Sequence, residues 1–278
     1  MKQTIFNASL EESMNLVTDK YIQTAMEDIN EKGYWRKIIG GLTTLFFMFL
    51  MYWLGVAVDT LHVRFYFLKV SVWMAILLGL GVLFFVIYIK DILKIKNNRV
   101  LSYYYYYKNM FRITMCFYLQ LIIVAISGAG MFIGNSFASI LFTFIYGFAF
   151  LDRYQWFKIS TLEALYGQKE FQNPLARFLE YFTVFAKKYG GIIVLLLIVL
   201  RWIFPINHHS EFFRTAGVIF YAFLMLVGVY FVVALGADNF QGYYIKKYME
   251  EYRELSGYTV EEWYGPRSKK AKGNSKMR

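Results

Sequence analysis

The sequence predicts an all-α integral membrane protein, a six-transmembrane-helix bundle with both termini on the cytoplasmic side. Apolar residues are gathered into runs of roughly 18–22, the length that a helix needs to cross about 30 Å of hydrocarbon. Hydrophobic residues make up 58% of the chain, whereas soluble domains average about 45–50%. The cationic residues are concentrated in alternate connecting segments, which is the pattern that orients a membrane protein.

Residues 1–37 precede the first apolar run and are predicted to form a cytoplasmic amphipathic helix. Ser9 and Glu12 have the spacing of a capping box at a helix start. Apolar residues then recur every three or four positions as far as Gly33, which favours a helix end. Up to Glu31 the segment has six acids and two lysines. A helix that lies on anionic lipid carries cations on its polar face, so we expect this one to pack on protein.

The membrane domain is predicted over residues 38–236. Its six spans are expected at 38–58, 71–89, 113–132, 137–151, 190–206 and 215–236. Residues 152–189 are expected to form a large cytoplasmic loop between the fourth and fifth spans. Within it, Ser160 and Glu163 repeat the capping-box spacing and predict the start of a short helix.

Residues 237–278 are predicted to lie in the cytoplasm. They continue the sixth span as a helix, and Thr259 with Glu262 gives a third capping box. After Pro266 the chain has six cations and no acid. That composition is typical of a disordered tail, and we expect the tail to contact anionic lipid.

The charge distribution assigns the two sides of the membrane. With both termini inside, the inner segments contain 26 Lys and Arg and the outer loops contain four. Such an asymmetry over short loops is a strong positive-inside signal. It also accounts for the net charge of +11 without nucleic acid, because the cations are spread over every inner segment and not gathered on one face of a soluble module.

Residues that could support catalysis at membrane depth are missing from the sequence. The middles of the six spans contain no Asp, Glu, Lys, Arg or His, whereas proton relays, ion-coupled carriers and voltage sensors place such residues inside the bundle. The chain also has no H-E-x-x-H motif and no Walker A loop. We therefore expect a non-catalytic protein without a cofactor, and any nucleotide chemistry would belong to a partner.

One group of residues could bind a metal ion, because three imidazoles with a carboxylate can hold zinc or copper. The group is predicted on the outer face and comprises His62, His208, His209 and Glu211, together with Asp59. The alternative is that these side chains are solvated or bind lipid headgroups. The sequence favours the alternative, because the residues come from separate loops without a fixed spacing.

Three residues are predicted to pack helices together. Gly130 and Gly134 have the small-xxx-small spacing that lets two helix backbones approach closely. Gln120 is an amide well inside a span. We expect it to hydrogen-bond to a neighbouring helix, with a position on a substrate path as the alternative.

The stretch from Lys90 to Arg112 joins the second and third spans and has six cations, one acid and five consecutive tyrosines, Tyr103 to Tyr107. Tyrosine is favoured at the headgroup level, so we interpret the run as an interfacial collar. The net charge of +5 predicts that this stretch packs against the acidic N-terminal helix. The predicted surface for a cytoplasmic partner comprises Lys94, Lys96 and Arg99, with Leu175, Arg177 and Phe178 of the large loop.

Two functions fit this distribution. The first is a permease-like subunit of a transport or export complex, driven by a separate ATPase. In layout the chain resembles the six-span exporter permeases of the ABC superfamily, which also begin with a surface helix, although its loop before the sixth span is too short for the re-entrant outer helices usual there. The second is a membrane-embedded immunity, scaffold or assembly factor that binds another membrane protein. A membrane enzyme or metal site using the outer histidines is a third, weaker alternative.

The expected location is a cell membrane, with multi-pass topology. The bias toward Tyr, Phe, Ile and Lys favours a bacterial plasma membrane, and an organelle or endoplasmic-reticulum membrane is also compatible with it. The expected partners are the bilayer, a protein on the cytoplasmic side or within the membrane, and anionic lipid at the basic tail.

Overall fold

The described part of the protein is mostly helical and contains helices that could span a membrane, as the sequence predicted. A computed structural model describes residues 3–95, 98–167, 211–237 and 239–265, with the single positions 187 and 191. Four of the described helices are long and apolar enough to cross a membrane. The predicted fifth span, 190–206, lies outside the described residues apart from position 191.

The N-terminal segment forms two helices, α1 (Leu10–Met14) and the start of α2 (Asp19–Asp59). The capping box is present, because the backbone N–H of Ser9 donates to Glu12 Oε2 at 2.6 Å. The prediction of one uninterrupted helix as far as Gly33 is wrong. Thr18 caps α2, and its backbone N–H donates to the side chain of Gln241 at 3.1 Å, so a distant contact fixes the break.

Gly33 kinks α2 and does not end it. Its φ of 61° and ψ of 165° interrupt the helical geometry, and a positive φ is available to glycine because it has no Cβ. The same helix continues beyond the kink as the first candidate span, Gly33–Asp59.

A short hairpin connects α2 to α3 (Val70–Ile95), where the sequence predicted only a loop. Strands β1 (Arg64–Phe65) and β2 (Leu68–Lys69) pair antiparallel. The carboxylate of Asp59 accepts a hydrogen bond from the backbone N–H of Val70 at 2.8 Å and thereby caps α3. The hairpin packs on the bundle through the backbone N–H of Tyr66, which donates to Ser139 Oγ at 3.2 Å.

Two long helices follow, α4 (Arg99–Ile133) and α5 (Asn135–Tyr166). Of the candidate spans α4 is the most buried, and it forms the centre of the bundle. Gly134 joins them with a φ of 92°. The capping box predicted at Ser160 and Glu163 is wrong, because α5 continues through both residues. No Gly or Pro between 152 and 160 ends the helix, so Ser160 stays in its interior.

The last apolar helix is broken at Met225 into α6 (Glu211–Leu224) and α7 (Leu226–Ala237). It runs antiparallel to α4, since Gly128 lies against Val218, Gly228 against Tyr118 and Gly236 against Phe111. The chain therefore returns along α6 and α7 to the end of the bundle at which α4 begins.

Three short helices complete the described chain at that end, α8 (Asn239–Lys247), α9 (Met249–Leu255) and α10 (Val260–Tyr264). The capping box of Thr259 and Glu262 is present at the start of α10. These helices pack with residues 4–28 and with the adjoining ends of α4 and α5 around one apolar core. We call this assembly the terminal layer. A second core lies within the spans.

Candidate functional site

Side chains of the terminal layer bind the non-helical backbone of residues 4–8. The hydroxyl of Tyr244 donates to the carbonyl of Ile5 at 2.6 Å, and that of Tyr248 donates to the carbonyl of Ala8 at 2.8 Å. The ammonium of Lys247 also donates to the Ala8 carbonyl, at 3.1 Å. Irregular backbone must find such partners when it is removed from water. The start of the described chain is thus tied to α8.

A buried hydrogen bond joins α1 to α9. The hydroxyls of Ser13 and Tyr252 are 2.7 Å apart, and Tyr252 is 3% exposed. Burial raises the pKa of Tyr252 to about 12 and also raises that of Tyr244. Because the folded-state pKa lies above the ordinary value of about 10, the stabilisation is complete below that pH and is lost as the pH rises through 12. Both phenols are therefore neutral at physiological pH.

The outer surface of the terminal layer is acidic. Three exposed lysines, Lys20 of α2 with Lys246 and Lys247 of α8, are outnumbered by exposed acids. Arg253 of α9 is bound to Glu250 at 3.0 Å and Glu254 at 3.1 Å. The exposed acids of α1, the first turns of α2, α9 and α10 are Glu11, Asp19, Glu27, Glu251, Glu254, Glu261 and Glu262. This surface has the opposite sign to the net charge of the chain. It is therefore suited to a cationic partner.

The five tyrosines lie within α4 and pack against protein. Tyr104 is 5% exposed, the ring of Tyr103 lies 5.3 Å from that of Tyr21, and the ring of Tyr106 lies 5.6 Å from that of Tyr88. Tyr104 therefore does not face the headgroups, while the other four tyrosines are half-buried and the collar stays a prediction for them. Tyr104 is buried because α4 packs against α2, α3 and α8.

A buried ion pair spans the kink in α2. The ammonium of Lys37 contacts the carboxylate of Asp28, and each side chain is only 1% exposed. The same ammonium lies 5.1 Å from the centre of the Tyr106 ring and 6.0 Å from that of Tyr103, where cation–π attraction adds to the pairing. Nothing in the sequence near Lys37 indicates this pair. The kink at Gly33 is what brings the pair together.

The predicted contact between the N-terminal helix and the Lys90–Arg112 stretch is made by aromatic rings. Tyr21 packs on Tyr103, whereas Lys94 is exposed. Arg99 lies near Glu262, whose carboxyl has a lowered pKa, mainly because Thr259 donates hydrogen bonds to it and partly because of the Arg99 charge. Four residues of the predicted partner surface lie outside the described residues: Lys96, Leu175, Arg177 and Phe178.

Polar groups inside the bundle bind backbone carbonyls. The amide of Gln120 donates to the carbonyl of Met74 at 3.0 Å and more weakly to that of Met48, so it connects α4 with α2 and α3. The hydroxyls of Tyr118 and Tyr146 donate to the carbonyls of Met225 and Ala222, respectively, at the break between α6 and α7.

The two glycines of the small-xxx-small pattern have different roles. A Cβ on Gly130 would lie 3.1 Å from the Cα of Asn135, so this glycine permits the close start of α5. Gly134 has nothing within 4 Å of a built Cβ and supplies the positive φ of the turn.

The residues of the predicted metal group are not brought together in the part of the chain that the structure describes. His62 lies in the turn before the hairpin with a φ of 57°, and Asp59 caps α3. His208 and His209 lie outside the described residues, and Glu211 begins α6. Among described residues, no three His, Cys, Asp or Glu side chains are grouped as a metal site would require.

Comparison with known proteins provides no relative for this arrangement. No protein family, curated protein or solved structure matches the chain. The acidic terminal layer, held together by buried hydrogen bonds and joined to the first candidate span by an ion pair, is therefore the candidate functional site on physical grounds alone.

Proposed function

We propose that this protein is a non-catalytic, multi-pass membrane subunit of a protein complex, and that its terminal layer binds a cationic partner protein on the cytoplasmic side. The supporting observation is the acidic outer surface of that layer, in a chain whose net charge is +11. Charge complementarity between surfaces speeds encounter and excludes wrong partners. Because α4 and α5 extend from the layer into the bundle, a bound partner would be mechanically coupled to the spans.

The topology in this proposal has six spans with both termini inside. The end of α5 packs in the terminal layer through Ala164 and Leu165. Val218 of α6 lies next to Gly128, and α6 begins farther toward the opposite end of the bundle because it runs antiparallel to α4. The chain between Gly167 and Glu211 has to connect these two ends, and it contains the apolar run 190–206. A crossing there supports the six-span arrangement, and the excess of cations on the terminal-layer side supports its orientation.

Cysteine labelling tests this topology. In a Cys116→Ser parent, Phe67→Cys places a thiol on the hairpin and Glu254→Cys places one on α9, both at exposed positions. We expect a membrane-impermeant maleimide to label Phe67→Cys in intact cells and Glu254→Cys only after permeabilisation. The parent, which lacks its single cysteine, gives the background. Labelling of both positions from the same side would contradict the topology.

Charge reversal on α9 and α10 tests partner binding. We expect the triple variant Glu251→Lys/Glu254→Lys/Glu261→Lys to recover at least about tenfold less partner after cross-linking in membranes, because each surface charge contributes up to about 1 kcal/mol. Quantitative mass spectrometry measures the recovered proteins. The partner also has to present a basic surface, and its binding to the wild type has to weaken as salt rises.

A matched control separates this contact from general charge effects. Asp152 and Glu254 are both exposed acids next to an arginine that they bind, but Asp152 lies outside the terminal layer. Asp152→Lys should leave the partner in place, while Glu254→Lys alone should weaken its recovery. If no protein is depleted in the triple variant relative to Asp152→Lys, the terminal layer is not the docking surface.

A transport role is the second candidate. Broken apolar helices occur at the substrate sites of many transporters, and α6 and α7 form such a break at Met225. Here tyrosine hydroxyls from α4 and α5 bind the carbonyls at the break, which favours a scaffold or assembly factor. Recovery of an ATPase as the terminal-layer partner would instead support a permease-like subunit.

A further inference from the structure

A cleft of about 410 Å³ opens between α4, the junction of α7 with α8, and the N-terminal residues. Its walls are mostly aromatic, and two cations lie among them. The residues that line it include Phe6, Tyr104, Lys108, Phe111, Arg112 and Phe240. The acids of the terminal layer do not line this cleft, so it is a separate surface from the proposed docking site.

The cleft is electropositive. Lys108 and Arg112 are four residues apart on α4, and Lys246 of α8 approaches the same region, with its ammonium 5.1 Å from the centre of the Tyr105 ring. The nearby acid is Asp91, whose carboxylate accepts a hydrogen bond from Asn109 at 3.4 Å. Within the described residues, none of the three cations lies within ion-pair distance of an acid.

Aromatic rings hold the two α4 cations. The ammonium of Lys108 lies 5.5 Å from the centre of the Tyr104 ring, and the guanidinium of Arg112 lies 5.5 Å from that of Phe84. Both cations are half-buried. Arg112 also donates to Asn109 Oδ1 at 3.4 Å. A half-buried cation is costly without an ion-pair partner, and Asp91 is not within ion-pair distance of either side chain, so the site can accept a further anion.

The position along α4 places these cations at the edge of the hydrocarbon. The apolar run begins with Ile113, directly after Arg112. About 20 residues of helix span the hydrocarbon core, so Arg112 and Lys108 stand at the depth of lipid phosphates. Phe111 and Phe240 line the cleft beside these two cations.

We propose that this cleft binds an anionic phospholipid from the leaflet on the terminal-layer side. Its phosphate lies between Lys108 and Arg112, its headgroup lies beside Phe240, and one acyl chain passes Phe111 into the hydrocarbon. Because Phe6 and Phe240 belong to the terminal layer while Phe111 belongs to a span, the lipid joins the layer to the bundle. The proposal does not depend on which side of the membrane the layer faces or on the protein partner.

Native mass spectrometry of the full chain in a neutral detergent tests the proposal. Phosphatidylglycerol and phosphatidylcholine with the same acyl chains are titrated separately. We expect phosphatidylglycerol to be retained at least about tenfold more tightly, since each cation near the membrane surface contributes roughly a fivefold factor in affinity. Equal retention of the two lipids by the wild type would overturn the proposal, and that comparison needs no variant.

Paired variants locate the site. Lys108→Gln/Arg112→Gln should abolish the preference for phosphatidylglycerol, and Lys108→Arg/Arg112→Lys should keep it. Lys94→Gln/Lys158→Gln removes the same charge at two exposed positions and should also keep it. Equal loss in both neutralised doubles would refute the site. Glycerol phosphate tests the source of the anion: if it binds as tightly as the lipid, the ligand is a free phosphate and the lipid proposal fails.

Discussion

Lys37→Met is expected to lower the free energy of unfolding by about 3–5 kcal/mol, the usual cost of removing one partner from a buried ion pair. The variant leaves the carboxylate of Asp28, whose side chain is 1% exposed, without its counter-charge. It also removes the ammonium from the faces of Tyr103 and Tyr106. Thermal and denaturant unfolding of the purified protein in detergent measures the loss.

Two further variants show whether the loss of stability comes from the buried ion pair. The double variant Asp28→Asn/Lys37→Met removes both charges and should recover much of the stability, because no uncompensated charge remains. Arg153→Met breaks a much less buried pair with Asp152 and a contact of the guanidinium with the Tyr230 ring at 4.7 Å, and should cost no more than about 2 kcal/mol. If Lys37→Met is no more destabilising than Arg153→Met, the pair does not stabilise the kinked helix.

Gly242→Ala is expected to cost about 1–3 kcal/mol through overpacking. A Cβ at this position of α8 would lie 2.6 Å from the hydroxyl of Tyr21 and 2.9 Å from the Cγ of Tyr104. The Tyr104 ring is buried and cannot move aside cheaply. Since Tyr21 belongs to the first turn of α2, the clash should also expose the N-terminal helices to protease, which limited proteolysis followed by mass spectrometry can detect.

Gly147→Ala is the matched control. It makes the same change on α5, where nothing lies within 4 Å of a built Cβ, and should be neutral or should stabilise the helix by up to about 1 kcal/mol. Equal unfolding midpoints for the two variants, with unchanged cleavage near Tyr21, would show that α8 does not pack as closely on the N-terminal segment as the structure has it.

Local features of the fold were predictable from the sequence. The four long candidate spans follow from the length and composition of single apolar runs. Of the three capping boxes, those at Ser9 and Thr259 are present, whereas the one at Ser160 is not. The four-residue pattern is the same in all three cases. What differs is the preceding chain, which continues α5 through Ser160 because nothing ends the helix before it.

The candidate site was not predictable, because it depends on contacts between distant residues. Tyr244 and Ile5 are separated by 239 positions, and nothing local to either residue indicates the other. The pairing of Asp28 with Lys37 requires the non-helical geometry of Gly33 between them. Asp59 was assigned to a metal group from its residue type, but its carboxylate is used to cap α3.

The binding of residues 4–8 by α8 sets an order of events during synthesis. Residue 5 leaves the ribosome roughly 10–50 s before residue 244 at ordinary elongation rates of about 5–20 residues per second. Throughout that interval the carbonyls and apolar side chains of the N-terminal segment have no α8 to bind, while the spans are being inserted. The terminal layer therefore assembles last. Its assembly follows the insertion of the membrane helices that precede α8 in the chain.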